Sequence, residues 1–214
     1  MTVPIPTPIY RFLHMDNLGT CLRRDGLHAP NHTPKDGLTY KTIHNVDIQD
    51  QRRVTVIPCG PGGVIHDYVS FYLGPRSPML LQLHTGQVPG YTEGQEPLVY
   101  LVSTAQAVQA SGTSFVFSDG HGIARFTQWF DDLRDLNKVD WQAVHAFVWT
   151  DTLEHMDRQR RKQAEFLVYK VCGWALIQEI GVVNGRMKSK VEAILAGFGV
   201  ALRRPVYVRR EWYY

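Results

Sequence analysis

Alternation of apolar and polar positions is clearest over residues 67–73, where Val69, Phe71 and Leu73 share one side of an extended chain and Tyr68, Ser70 and Tyr72 share the other. The pattern predicts a strand with its apolar back on the core and a polar-aromatic front lining a cleft. Pro8–His14 also reads as a short strand, followed by Asp16 as the N-cap of a helix running to about Arg24. Prolines, a glycine and polar residues over Ala29–Thr39 predict a long loop. Strands are expected near Val54–Ile57, Met79–His84, Pro97–Val102 and Ser114–Phe117, with a turn at 59–63 and a short helix at Thr104–Ala110. From Gly122 to Lys162 the apolar spacing changes to three and four, through Phe126, Trp129, Phe130, Leu133 and Leu136 and then Trp141, Val144 and Val148, which predicts helix. Strand returns at Gln163–Val171 and Ile177–Val183, before a helix over Met187–Phe198 and a last strand at Val206–Arg209.

Antiparallel-looking strands with helices set between them predict an α+β fold, not a doubly wound parallel sheet. Neither G-x-G-x-x-G nor G-x-x-x-x-G-K-[ST] occurs, which removes the Rossmann and P-loop readings. The 214 residues fit one domain, without repeats or low-complexity segments. No run of eighteen apolar residues exists, so no membrane partner is expected. The first ten residues, MTVPIPTPIY, have neither a basic start nor an apolar stretch, so a cytoplasmic location is the expectation. Cys21, Cys59 and Cys172 are too scattered for a disulfide framework or zinc site, and His14, His66, His84 and His121 lack metal-ligand spacing. No metal is expected, and a monomer is the default.

The formal charge of +3 is mild, but arginine comes in pairs at 23–24, 52–53, 160–161, 203–204 and 209–210. Guanidinium pairs suit phosphate clamping and stacking on bases; solvated faces and local ion pairs are the alternative. Glu165 lies in KQAEFLV, where strand geometry places Gln163, Glu165, Leu167 and Tyr169 on one face, just after the basic run RQRRK. A fixed carboxylate suits a reaction in which positive charge builds on a sugar, although position alone favours an edge-strand glutamate paired with a neighbouring arginine. Tyr68 and Tyr72 offer flat faces for a nicotinamide or a base, or ordinary strand packing. Arg53 is placed to meet a phosphate or target base, or a surface carboxylate.

Several strings carry a family resemblance: TPIYRFLHMDNL (7–18), IQDQRR (48–53), GGVIHDYVSFYLGPRSPML (62–80), GQEPLVYLVSTAQAV (94–108), KQAEFLV (162–168) and VRREWYY (208–214). In this order, and over nearly the whole chain, they resemble DarT, the toxin of bacterial toxin–antitoxin pairs that ADP-ribosylates bases in single-stranded DNA. The resemblance implies an ADP-ribosyltransferase fold over 1–214, with two small, mostly antiparallel sheets forming a cleft for NAD. It makes Glu165 the catalytic glutamate, anchoring the nicotinamide-side ribose, with Gln163 two residues ahead of it. Arg53 matches the arginine that assists proton removal from the base; since a guanidinium is a poor base, orientation of the base and stabilisation of its deprotonated imide is the preferred role.

The resemblance also places Arg11, Phe12, Leu13, Thr20, His28, Arg53 and Tyr72 around NAD, with Arg11 standing where relatives carry His. Residues 33–54 become an NAD-covering element and 121–165 a target-presenting region, with Arg158, Arg160, Arg161 and Gln163 on the DNA. The implied reaction is transfer of ADP-ribose from NAD to N3 of thymine, and the implied partner is a macrodomain antitoxin, DarG. Modification of guanine or RNA, or a non-catalytic single-strand-binding domain, are the alternative functions.

Overall fold

A computed structural model describes residues 2–214. In chain order these form β1 (Pro8–His14), α1 (Leu18–Arg23), β2 (Gly26–His28), α2 (Val46–Val54), β3 (Tyr68–Tyr72), α3 (Pro78–His84), β4 (Leu98–Thr104), α4 (Ala105–Ala110) and β5 (Phe115–Ser118). There follow β6 (Trp129–Phe130), α5 (Trp141–His145), α6 (Arg158–Lys162), β7 (Glu165–Tyr169), β8 (Val171–Gly173), β9 (Glu179–Val182), α7 (Gly185–Ala196) and β10 (Val206–Val208). The fold is α+β, as expected.

Eight strands join in the order β10-β9-β4-β1-β3-β7-β5-β6, and β2 pairs with β8 in a separate ribbon. The larger sheet is two four-stranded halves. β1 pairs with β4 through seven registered residues, from Pro8↔Thr104 to His14↔Leu98, and β3 pairs with β7 through five, from Tyr68↔Tyr169 to Tyr72↔Glu165. Between the halves, β1 meets β3 at one registered pair, Tyr10↔Tyr72. The two small sheets of the expectation are thus one formal sheet with a seam, plus the ribbon. All pairings are antiparallel except β9 with β10.

The strand sequences explain their places. β4, LVYLVST, is buried throughout because it lies between β1 and β9. In β3, Val69 and Phe71 are buried while Ser70 and Tyr72 are half-buried, so the alternation places Ser70 and Tyr72 on one face. On the β7 side the core is an aromatic stack: Phe115 and Phe117 lie against Phe166 at ring-centroid distances of 5.0 and 6.4 Å, and Phe130 meets Phe117 at 5.2 Å. The C-terminal aromatics dock on the other half. The Tyr213 hydroxyl donates to Leu98 O at 2.9 Å, and Trp212 fills the space where a Cβ on Gly181 would fall 2.4 Å from its ring.

Several expectations on local structure need correction. Met79–His84 is helix, because Ser77 accepts from Leu80 N–H and Pro78 sits at the first helical position, burying Leu80 and Leu83 on one face. Val54–Ile57 is not a strand: α2 runs through Val54, and Val56 makes only an isolated bridge with Val64. The first helix starts through a 3-10 turn, Met15–Asn17, capped by His14, so Asp16 lies inside the turn. The span 122–162 is mostly short pieces. It contains β6, a 3-10 stretch at Leu133–Lys138, α5 and α6, because Asp132 and Asp140 each cap a new start and break the long period.

Candidate active site

Glu165 is the first residue of β7, directly across from Tyr72 on β3, which in turn is paired with Tyr10 on β1. This puts its carboxylate at the seam between the half-sheets, with the residue only 2 % exposed. Arg52 reaches it from α2 as a two-pronged clamp, Nη1 donating to Oε1 at 3.0 Å and Nη2 to Oε2 at 2.7 Å. The Gly122 amide donates to Oε1 at 2.9 Å. A carboxylate has about four acceptor positions, so the one left open lies on Oε2, where a sugar hydroxyl can be held.

The backbone around Glu165 is fixed as tightly as the side chain. Its N–H donates to Ser118 Oγ at 3.2 Å, and that hydroxyl donates onward to Gly120 O at 2.7 Å. Gly122 has no side chain because a Cβ there would lie 3.0 Å from Glu165 Oε1 and 3.0 Å from Ile65 Cδ1. Burial pushes the Glu165 carboxyl toward protonation. The Arg52 charge and hydrogen bonds, with His121 and the Gly122 amide, outweigh burial and hold it below the usual carboxylate range. Burial likewise pulls the His121 imidazole below its usual value, with Arg52 adding to this and Glu165 opposing it.

Arg11 completes the charge pattern. Its Nη1 donates to Ser70 O at 2.7 Å while Arg52 Nη2 donates to Ser70 Oγ at 2.6 Å, so two guanidinium groups flank one serine, and only Arg52 is paired with the carboxylate. Arg11 Nε is buried with no partner. A surplus positive charge with an unspent buried donor fits an anionic ligand such as a dinucleotide pyrophosphate. Phe12 stacks on Tyr72 with ring centroids 6.1 Å apart and planes at 10°, giving a flat apolar surface beside the carboxylate. Burial and the neighbouring Glu165 push the Tyr72 phenol up to about 12, so it stays protonated.

The segment 33–54 lies against α1 and enters the site. Arg24 holds Asp36 at 2.8 and 2.6 Å, Asn17 exchanges two hydrogen bonds with the Lys41 backbone, and Thr20 Oγ1 donates to Thr39 O at 3.4 Å. The segment ends in α2, whose Asn45 cap and inward Arg52 bring it to Glu165. Leu13 is buried in the core, and His28, on β2, approaches Arg24 O at 3.3 Å. Two open hollows elsewhere, of about 450 and 390 Å³, border Glu93 and Arg210 and border Gly60 and Asp131; neither includes Glu165.

The remaining residues singled out from sequence fall in three places. Arg53 is not at Glu165; its side chain is 66 % exposed and its nearest carboxylate is Asp50 at 3.6 Å, because one step round a helix turns a side chain away from its neighbour's face. Gln163 does not share a strand face with Glu165, since it is the C-cap of α6, with its amide donating to Gln159 O at 3.2 Å. Arg160 is folded into an ion-pair node, holding Asp119 at 2.8 and 3.2 Å and Asp157 at 2.8 Å, while its carbonyl accepts from His121 N–H at 2.9 Å. Arg161 pairs with Asp157 and Asp140 and is half-exposed; Arg158 makes no ion pair among the described residues. Sequence reading missed Arg52, Ser118 and Gly122 as members of the site and placed Ser70 only on a cleft-lining strand face. Arg52 had a signal in the Asn45 cap, which marks a helix and its inward face.

Among the described residues, no three His, Cys, Asp or Glu side chains gather as a metal site requires, and no helix is long and apolar enough to cross a membrane. A clamped carboxylate with one open acceptor, beside an aromatic surface and a guanidinium with an unpartnered donor, suits a reaction that builds positive charge on a sugar.

The comparisons give the family. The model described as ssDNA thymidine ADP-ribosyltransferase, DarT, matches residues 10–214. A DNA ADP-ribosyl transferase of Thermus sp. (strain 2.9) is 45% identical over 213 residues, covering 100% of this chain and 99% of its own. The Escherichia coli O127:H6 protein of the same name is 31% identical, covering 96% and 93%. Thermus sp. 2.9 DarT in complex with ADP-ribosylated ssDNA superposes with a TM-score of 0.93 at 44% identity, over 100% of this chain and 99% of that one. The same protein with NAD+ gives 0.87 at 43% identity, over 100% of both chains. The chain belongs to the DarT family of single-stranded DNA ADP-ribosyltransferases.

Proposed function

We propose that this protein attaches ADP-ribose to N3 of thymine in single-stranded DNA, in the cytoplasm, as the toxin whose activity a macrodomain antitoxin of the DarG type reverses. The observation that carries the reading is the Glu165 carboxylate, ionised and clamped by Arg52 with one acceptor open at the seam. NAD supplies a glycosidic bond to a cationic nicotinamide ring, a leaving group that needs no protonation.

In this reading the open position on Glu165 Oε2 holds a hydroxyl of the nicotinamide-side ribose, and the carboxylate charge stabilises the cation that grows at the sugar. Arg11, with its unpartnered Nε, meets the pyrophosphate, and Tyr72 on Phe12 carries the nicotinamide face. Thr20, which bonds to Thr39 O, and His28, beside Arg24 O, line the donor groove, and the segment 33–54 covers the donor. Arg52 takes the task of keeping Glu165 charged and oriented. Arg53, exposed one residue on, orients the incoming base and stabilises its imide as the N3 proton passes to solvent water, N3 bonds to the ribose C1′ and nicotinamide leaves neutral. Arg158 and Arg161 contact the DNA backbone, and the region 121–165 presents the target. Thymine N3 is paired in duplex, so a single strand is the accessible acceptor.

The test is incubation with NAD and single-stranded oligonucleotides that carry thymine, guanine or neither, read by mass spectrometry. One ADP-ribose should appear on the thymine-containing strand only, and Glu165→Ala should abolish it. An adduct on guanine or RNA alone, or one that survives Glu165→Ala, overturns this assignment.

A further inference from the structure

The loop that delivers the Gly122 amide to Glu165 does a second thing: it holds a phenylalanine in water. Ala124 N–H donates to His121 O at 2.9 Å and Thr127 N–H to Ala124 O at 3.0 Å, while Thr127 Oγ1 returns to His121 O at 2.7 Å. Asp119 and Gln128 exchange two bonds, of 3.1 and 2.8 Å, below this ring, and Arg160 ties Asp119 to Thr127 from behind. The result is a closed, internally bonded loop, with Arg125 and Phe126 on its outer side. Phe126 is 79 % exposed, and the Arg125 guanidinium lies 6.0 Å from its ring centroid. Trp129 and Phe130, by contrast, turn inward, Trp129 close against Gly122.

A large ring left in solvent gives the fold nothing, yet the hydrogen-bonded loop presents it as a ready partner for another flat group. Its position limits what that group can be. Three residues separate it from Gly122, whose amide touches Glu165, so the two Cα atoms lie at most about 14 Å apart, within about four stacked nucleotide steps. Aromatic rings backed by arginine are the means by which proteins hold single-stranded bases without reading their identity.

We propose that Phe126, with Arg125 behind it, is a stacking platform for a base beside the target nucleotide. The proposal rests on the single-stranded DNA reading above and adds the residue that fixes the strand next to the reacting base. Stacking of this kind is a matter of binding, so its loss falls on the oligonucleotide and leaves the NAD chemistry untouched.

The experiment uses the full chain, a thymine-containing oligonucleotide with 2-aminopurine placed in turn on either side of the thymine, and the variants Phe126→Ala, Phe126→Leu and Phe126→Trp. Wild type should quench 2-aminopurine at one flank. Phe126→Ala and Phe126→Leu should lose that quenching and raise the KM for oligonucleotide roughly 5- to 150-fold, with the KM for NAD unchanged, and Phe126→Trp should restore both. Equal KM for oligonucleotide in wild type and Phe126→Ala overturns the proposal, as does full activity in Phe126→Leu, which shows an apolar contact without stacking. If the KM for NAD moves in parallel, Phe126 acts through the Gly122 loop and the proposal also fails. Absence of any adduct with wild type is a separate result, and it removes the function itself.

Discussion

Replacing Arg52 by alanine tests whether Glu165 is held by the clamp or merely lies near it. The guanidinium makes two of the three hydrogen bonds to the carboxylate and supplies the cation that balances its charge; the side chains are 10 % and 3 % exposed. Removing one partner of such a pair leaves a buried charge with a single amide donor, at a cost of about 3–5 kcal/mol. For a chain of this size each kcal/mol moves the melting temperature by roughly 2–4 °C, so Arg52→Ala should melt roughly 6–20 °C lower. Much of that loss belongs to the unpaired carboxylate, so Arg52→Ala/Glu165→Gln should recover part of it, with an interaction energy of about 1–3 kcal/mol in the double-mutant cycle. The assay is thermal unfolding at neutral pH of wild type, both single variants and the double variant, followed by circular dichroism. A melting temperature for Arg52→Ala within about 1 °C of wild type refutes the reasoning. So does a double variant no more stable than Arg52→Ala, which would place the whole effect on lost packing.

Two further outcomes follow from the same geometry. Glu165 has a folded pKa below its ordinary 4.5, so the folded state binds fewer protons than the unfolded one between that lowered value and 4.5. The pair's contribution to stability is therefore complete above 4.5 and is lost as pH falls through the folded value; activity should show no acid limb from Glu165 above 4.5, while Arg52→Ala should move one above it in a pH–rate profile. Arg158 and Arg160 should separate cleanly: Arg160→Ala breaks the node with Asp119 and Asp157 and lowers the melting temperature. Arg158→Ala leaves the melting temperature alone and reduces the salt slope of oligonucleotide binding by about 0.7; an unchanged slope removes Arg158 from the DNA path.

How much was legible in sequence differed by the range of the contact. The front face of β3 followed from period-two alternation, and Glu165 was singled out by the family strings, because both signals are local. The pairing of Glu165 with Tyr72 joins residues 72 and 165, and no local period encodes a register across that distance. Arg53 was preferred to Arg52 on the family strings, with a strand expected at Val54–Ile57 and no helix assigned to residues 46–54. As helix, Gln49 and Arg52 share a face, and both make inward contacts, with His66 and with Glu165. Gly122 carried no signal at all: its lack of a side chain matters only because Glu165 arrives from 43 residues further on. The arginine pairs were ambiguous because the same guanidinium serves DNA or a carboxylate. Arg24, Arg52, Arg160 and Arg209 are all committed to carboxylates within the protein, and only the folded arrangement reveals which members are free.

The single registered pair between β1 and β3 makes the sheet compliant at one point and stiff on either side of it. Glu165, Ser70, Ser118 and the Gly122 amide belong to one stiff body, and Arg11 and Phe12 to the other. A small rotation about Tyr10 and Tyr72 changes the spacing between these two sets while breaking no ladder within either. Such a rotation works against the Arg11–Ser70 hydrogen bond and the Phe12–Tyr72 stack, which cross the seam, so these side chains rather than the strand ladder set the spacing between the halves.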